Sequence, residues 1–193
     1  MKNLIFGIGS GRCGTTSLSS ILNDQSGANV THEMSGKIRL PWEFDEKRIE
    51  AYLDSISKRE EQIVGDVSFY LINYMPYIIN RFPNCKIVAL KRNKEETIDS
   101  MMRKTLGLNH WVSNPQRFSP FDECFPKFDY CLNKRDRISM YYDLYYDLVD
   151  KIENNRIFHL ETIMLNNKAS LKELFTFCEI DNPIFSIRHL NRS

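Results

Sequence analysis

The 193-residue sequence predicts an α/β fold, a single domain over 1–193 built on a central parallel β-sheet flanked by helices. Three observations lead there. Short runs rich in β-branched residues alternate with longer stretches of helical period. A glycine-rich turn joins the first of these runs directly to the first helical stretch. Apolar residues make up 42% of the chain, enough to cover both faces of a sheet.

In chain order, the first strand is predicted over 3–9, and the turn that follows opens a helix over 15–23. Further strands fall at 28–31, 62–66, 86–90 and 156–160. Between and after them, helical periods predict helices over 45–57, 74–81, 94–106, 134–153 and 168–178. In the helix over 134–153, Ile138, Tyr141, Tyr145, Leu148 and Ile152 recur at steps of three and four, and that stripe reads as core. Asn93 followed by Glu96 reads as a capping box and sets the start of the helix over 94–106. The stretch 107–130 has three prolines and many aromatics without a period. His110, Trp111, Phe118, Phe121, Phe125 and Phe128 in it could form an acceptor pocket or lid, or simply pin a long loop to the core.

Composition removes several function classes. Twenty-six basic residues against 25 acidic ones give a formal charge of +1, too little to hold a nucleic acid or an anionic membrane. Cys13, Cys85, Cys124, Cys131 and Cys178 form an odd set without a C-x-x-C pair, and the four histidines are scattered. That argues against a disulfide framework and against a zinc cluster. No stretch approaches the ~20 apolar residues of a membrane span, and the short apolar start runs straight into glycines. A cytoplasmic protein without a metal site is the expectation.

The chemistry concentrates in Gly7-Ile8-Gly9-Ser10-Gly11-Arg12-Cys13-Gly14-Thr15-Thr16-Ser17, between a strand and a helix. Small residues let backbone N–H groups converge there, and the unpaired amides and dipole of a helix start favour a phosphate or sulfate. Two patterns fit. Gly9, Gly11 and Gly14 match the dinucleotide pattern G-x-G-x-x-G, with Glu33 near the place of its ribose acid. Residues 9–16 also read as a P-loop in which Thr15 replaces the lysine, a loss that argues against hydrolysis of ATP or GTP, while Arg12 puts a cation inside the loop. Farther on, Arg92 closes a buried strand and Ser100 lies two helical turns beyond Asn93, on the face of the helix start.

A basic residue two places before Gly14-Thr15-Thr16 resembles the 5′-phosphosulfate loop of sulfotransferases that use 3′-phosphoadenosine-5′-phosphosulfate. An arginine at a strand end with a serine eight residues on, here Arg92 and Ser100, resembles the 3′-phosphate site of that family. The segment 64–70 and the late pair 156–161 and 171–178 agree with it. The resemblance implies a P-loop-like fold, this nucleotide as donor, 3′,5′-ADP as product, and no metal. It places Gly11, Arg12, Cys13, Gly14, Thr15, Thr16 and Ser17 on the donor, with Arg92 and Ser100 on its 3′-phosphate. Arg188 and Arg192 resemble basic residues that close over the nucleotide in bacterial members, although the longer glycine-rich ending of the cytosolic branch is missing.

Sulfuryl transfer also needs a base. Glu33, just past the second strand, occupies the position of the catalytic glutamate in the heparan and tyrosylprotein branches, which this chain resembles there. His32 is the second candidate, because imidazole titrates near neutrality. Asp66 is expected to orient loop amides or Arg12 rather than to take a proton. The resemblance thus assigns Arg12, Glu33 and His32 to catalysis, with an acceptor hydroxyl or amine that the sequence does not identify. A dinucleotide-binding protein, a P-loop nucleotide kinase and a family member that binds the nucleotide without transferring remain open alternatives.

Overall fold

The computed structural model describes residues 2–106, 122–128 and 133–185. Five strands, β1 (Asn3–Ile8), β2 (Ala28–His32), β3 (Ile63–Val67), β4 (Lys86–Lys91) and β5 (Ile157–Glu161), form one parallel sheet in the order β2-β3-β1-β4-β5. The predicted strands all appear, within a residue or two at either end. Among the described residues six helices connect and follow them: α1 (Thr15–Asn23), α2 (Glu46–Ser57), α3 (Met75–Arg81), α4 (Lys94–Lys104), α5 (Lys134–Val149) and α6 (Lys168–Phe177).

Alternation along the strands divides the core in two. Phe6 and Ile8 of β1 and Ile87 and Ala89 of β4 face one side, where α2, α3, α4 and α5 pack. Ile5 of β1 and Val88 and Leu90 of β4 face the other, covered by Leu18, Ile21 and Leu22 of α1 and Leu171, Leu174 and Phe175 of α6. Burial on both faces is why these strands read as nearly unbroken apolar runs.

The order separates two of the open alternatives. In the dinucleotide fold β2 lies beside β1. Here β3 intervenes, pairing Phe6 with Asp66 on one edge and Asp66 with Thr31 on the other. The chain leaves β1 toward β2, while β4 and β5 lie on the opposite side. The crevice at the C-terminal end of β1 is therefore the switch point where open α/β sheets bind ligands.

Two helices stop earlier than their periods imply. α4 ends at Lys104, where Thr105 caps it by donating its amide to Met101. α5 ends at Val149, because the Ile152 amide turns back to Val149 in a tighter turn and a 3-10 turn, Asn154–Arg156, then leads into β5. Ile152 still packs in the core, so the apolar stripe outlasts the helix. Of the aromatic stretch, 122–128 is described. Phe125 stacks on Phe69 at 4.7 Å, Phe128 is buried, and the Trp42 amide donates to Glu123, which pins this part to the body. His110, Trp111, Phe118, Phe121, Cys131, Arg188 and Arg192 lie outside the described residues. Among the described residues no helix is long and apolar enough to cross a membrane, and no group of His, Cys, Asp or Glu could hold a metal ion.

Candidate functional site

Side chains cap the starts of α2, α4, α5 and α6: Asp45, Asn93, Asn133 and Asn167 each accept a backbone amide of the first turn. α1 begins differently. Its N-cap is Gly14 at φ 92°, no side chain caps it, and its first turn holds no acidic residue. Gly11 and Arg12 before it also lie at positive φ, 82° and 57°, so the loop turns its main chain rather than its side chains toward the helix start. Among the described residues a Cβ on Gly11 would meet nothing nearer than Met101 Cε at 4.0 Å, whereas one on Gly14 would strike Leu165 Cδ1 at 2.9 Å. The loop is open above Gly11 and closely backed beneath Gly14.

Arg12 ties the two halves of the sequence motif together. Its Nε donates to Ser100 Oγ at 3.1 Å, and its carbonyl accepts Arg92 Nη1 at 3.2 Å. Among the described residues the Arg12 guanidinium has no carboxylate partner. Arg92 Nε pairs with Glu96 at 3.0 Å. The capping box is thus half formed: Asn93 caps the Glu96 amide, while the Glu96 carboxylate turns to Arg92 instead of returning to Asn93.

On the other side of α1, His32 Nε2 lies 3.1 Å from Thr15 Oγ1, and Glu33 lies 3.7 Å from the same imidazole nitrogen. Glu33 opens a 3-10 turn, Glu33–Gly36, with φ 50°, and Met34 follows at φ 44°. Burial raises the Glu33 carboxyl; His32 opposes the rise, Asp66 adds to it, and Arg39 opposes it. Cys13 stands apart from the exposed edge: its thiol is buried and pushed up to about 11 by that burial, and its carbonyl accepts the Thr162 hydroxyl at 2.6 Å. Its side chain supports the loop from within. Thr16 is half-buried, and Ser17 is buried one position deeper in α1.

Asp66 corrects one expectation. It touches neither the loop amides nor Arg12; it reaches the end of β2, where it accepts Thr31 Oγ1 at 2.6 Å and the Met34 amide at 2.9 Å. The sequence showed Tyr145 only as core and did not single out Tyr142 or Tyr146. Tyr142 donates to the Arg92 carbonyl at 2.6 Å, Tyr145 accepts the Gly9 amide at 2.9 Å, and Tyr146 donates to the Leu90 carbonyl at 2.8 Å. Three hydroxyls from one face of α5 therefore fix the main chain around the switch point. The signal was present, because a buried tyrosine must find a hydrogen-bond partner.

The residues present fit an extended anionic ligand. A helix whose first turn holds no acidic residue, an arginine without a carboxylate partner among the described residues, and a second arginine with a buried serine converge on one crevice.

Comparison with known proteins agrees with this geometry. No curated protein matches the chain. A sulfotransferase from Alicyclobacillus acidocaldarius superposes with a TM-score of 0.62 over 100% of this chain and 87% of its own, at 14% identity. A mouse sulfotransferase complexed with PAP superposes with a TM-score of 0.55 and 16% identity over 96% of this chain; the chain spans 61% of that protein. Shikimate kinase from Acinetobacter baumannii, in complex with shikimate, gives 0.54 at 12% identity over 94% of this chain and 96% of its own, as expected for a shared P-loop-like sheet. The family described as the sulfotransferase domain matches residues 4–175, nearly all of the sheet and its helices, and the chain belongs to that family.

Proposed function

We propose that the chain transfers a sulfuryl group from 3′-phosphoadenosine-5′-phosphosulfate to a hydroxyl or amine acceptor. The observation that carries this reading is the pair of hydrogen bonds at Arg12, one to Ser100 and one from Arg92. A nucleotide with phosphate groups at both its 5′ and 3′ positions needs two anion sites a few ångströms apart. The α1 start supplies one and the β4–α4 edge the other.

When bound, the donor supplies a sulfuryl group activated by its anhydride bond to phosphate. The amides of Gly14, Thr15 and Thr16 meet the 5′ end, with the helix dipole favouring negative charge there, while Gly11, Cys13 and Ser17 line the same loop, the Gly11 amide being turned back to the Gly9 carbonyl. Arg92 and Ser100 take the 3′-phosphate. Arg92 keeps donors to spare after its bonds to Glu96 and Arg12. Arg12, without a carboxylate partner among the described residues, stabilises the charge left on the bridging oxygen as the S–O bond breaks.

Glu33 accepts the proton of the acceptor as its oxygen or nitrogen bonds to sulfur. A raised carboxyl suits that task, because it binds the proton more firmly than an ordinary glutamate. His32 holds Thr15 at the start of α1 and sits against Glu33, so it orients the edge rather than competing for the proton. A sulfuryl group carries less negative charge than a phosphoryl group, so cations and amides suffice without a divalent metal. Arg188 and Arg192 complete the proposal as further nucleotide-binding residues.

Calorimetry with 3′,5′-ADP, beside ADP, magnesium-ATP and NAD and with an EDTA control, tests it. Micromolar binding that requires the 3′-phosphate and survives EDTA is the expected result. Preference for NAD or for magnesium-ATP would overturn the assignment.

A further inference from the structure

The Glu33 turn is strained, and what holds it lies beneath it. Glu33 and Met34 are consecutive non-glycine residues at positive φ, a conformation that costs on the order of 1–3 kcal/mol per residue and persists only where the surroundings impose it. Asp66 imposes it here. The residue is fully buried one position before the C-terminal end of β3, the strand that lies between β1 and β2. Its Oδ1 accepts Thr31 Oγ1 at 2.6 Å and the Met34 amide at 2.9 Å, and its Oδ2 accepts Tyr52 Oη at 2.5 Å and the Ser68 hydroxyl.

Four donors on two oxygens are what an acceptor-only carboxylate requires. The nearest basic group among these contacts is one step removed: Arg59 donates to Thr31 Oγ1 at 3.1 Å. An unpaired buried charge is expensive, so four committed donors around one carboxylate mark a position with a task.

We propose that Asp66 is the positioning residue of this site, its carboxylate holding the Met34 amide from below so that the left-handed turn presents Glu33 at the sheet edge beside His32. The inference rests on Glu33 as the base. Asp66 touches neither donor nor acceptor and acts through Glu33 alone. Among the described residues, the charged groups besides Asp66 that act on Glu33 are His32, 3.7 Å away, and Arg39, and its charge in turn acts on the Tyr70 and Tyr141 hydroxyls and the Cys124 thiol. Of these, Asp66 is the negative one, so its removal has a predictable sign.

The test is the titration of the Glu33 carboxyl by carbon NMR in the full chain, its resonance identified as the one missing from Glu33→Gln. Asp66→Asn keeps an oxygen for the Met34 amide and removes the charge. The Glu33 midpoint is expected to fall in Asp66→Asn. A role confined to packing would lower the melting temperature and leave the midpoint where it was, and that result would overturn the proposal. Should Asp66→Asn not fold, hydrogen exchange of the Met34 amide in the wild-type chain decides. Exchange at least 100-fold slower than in an unstructured peptide supports the clamp, and exchange at the peptide rate sinks it. Both readouts need neither donor nor acceptor. A wild-type chain that fails to bind 3′,5′-ADP would remove the sulfotransferase reading and leave these results standing.

Discussion

Arg12 Nε lies 3.1 Å from Ser100 Oγ, although 88 residues separate them in the chain. The loop proposed to surround one end of a nucleotide is thereby linked to the helix proposed to meet the other end. If Ser100 also bonds the 3′-phosphate, removing its hydroxyl should act selectively. A hydrogen bond to a charged group contributes about 1.5–3 kcal/mol, so Ser100→Ala is expected to weaken 3′,5′-ADP about 10- to 150-fold and to leave 5′-AMP unchanged. Equal losses for both ligands, measured by calorimetry, would mean that Ser100 serves Arg12 and not the phosphate.

Much of this site was legible because its signals are local. The strand-to-helix turn, the arginine closing β4 and the serine two turns into α4 are each read within a dozen residues, and the sheet brings their ends together. Glu33 follows its strand directly and was singled out as a candidate the same way. What stayed hidden depends on tertiary neighbours. The period of α5 shows which face is buried, yet nothing in that period shows that Tyr145 meets Gly9 across 136 residues. Asp66 was misread for a similar reason: its partners come from β2, α2 and the end of β3, and only the strand order makes β2 its neighbour. The stop of α5 at Val149 is a third case, since Ile152 continues the apolar pattern past the point where the backbone has already turned.

Tyr145 offers the cleanest test of support from α5. Its hydroxyl accepts the Gly9 amide and donates to the Phe69 carbonyl at 3.0 Å, and all of these groups are buried. Tyr145→Phe leaves a donor and an acceptor without partners, at about 1–3 kcal/mol each. For a chain of this length that lowers the melting temperature by about 4 °C or more. Thermal unfolding checks the stability, and 3′,5′-ADP affinity should fall with it because Gly9 opens the loop. A variant as stable as the wild type would show that Tyr145 is filler.

Two glycines of the loop should respond unequally to alanine. Both have positive φ, so both substitutions carry backbone strain. Gly14→Ala adds a collision with Leu165 Cδ1 at 2.9 Å and with Thr162 Cγ2 at 3.2 Å, whereas among the described residues nothing comes closer than 4.0 Å to a Cβ at Gly11. Thr162 also holds the Cys13 carbonyl, so pushing it away disturbs the start of α1 directly. Urea unfolding should rank the wild type above Gly11→Ala and Gly11→Ala above Gly14→Ala, with the last losing more than about 1 kcal/mol. Equal midpoints for the two variants would contradict the close backing of Gly14.

Glu33 makes a prediction about pH whose sign is opposite to that of most carboxylates. Burial raises its carboxyl in the folded chain, with His32 and Arg39 opposing and Asp66 reinforcing the rise. Between the ordinary glutamate value of about 4.3 and the raised folded value, the folded state binds more protons than the unfolded one. Stability from this group is therefore present at low pH and lost as pH climbs through that window. Glu33→Gln cannot ionise and escapes the loss. The stability of Glu33→Gln relative to the wild type should rise with pH across the window and stay constant on either side. Urea unfolding at a series of pH values measures the difference directly. A difference that shrinks as pH rises would mean that the charged carboxylate is favoured in the fold, and a glutamate held that way is a poor base.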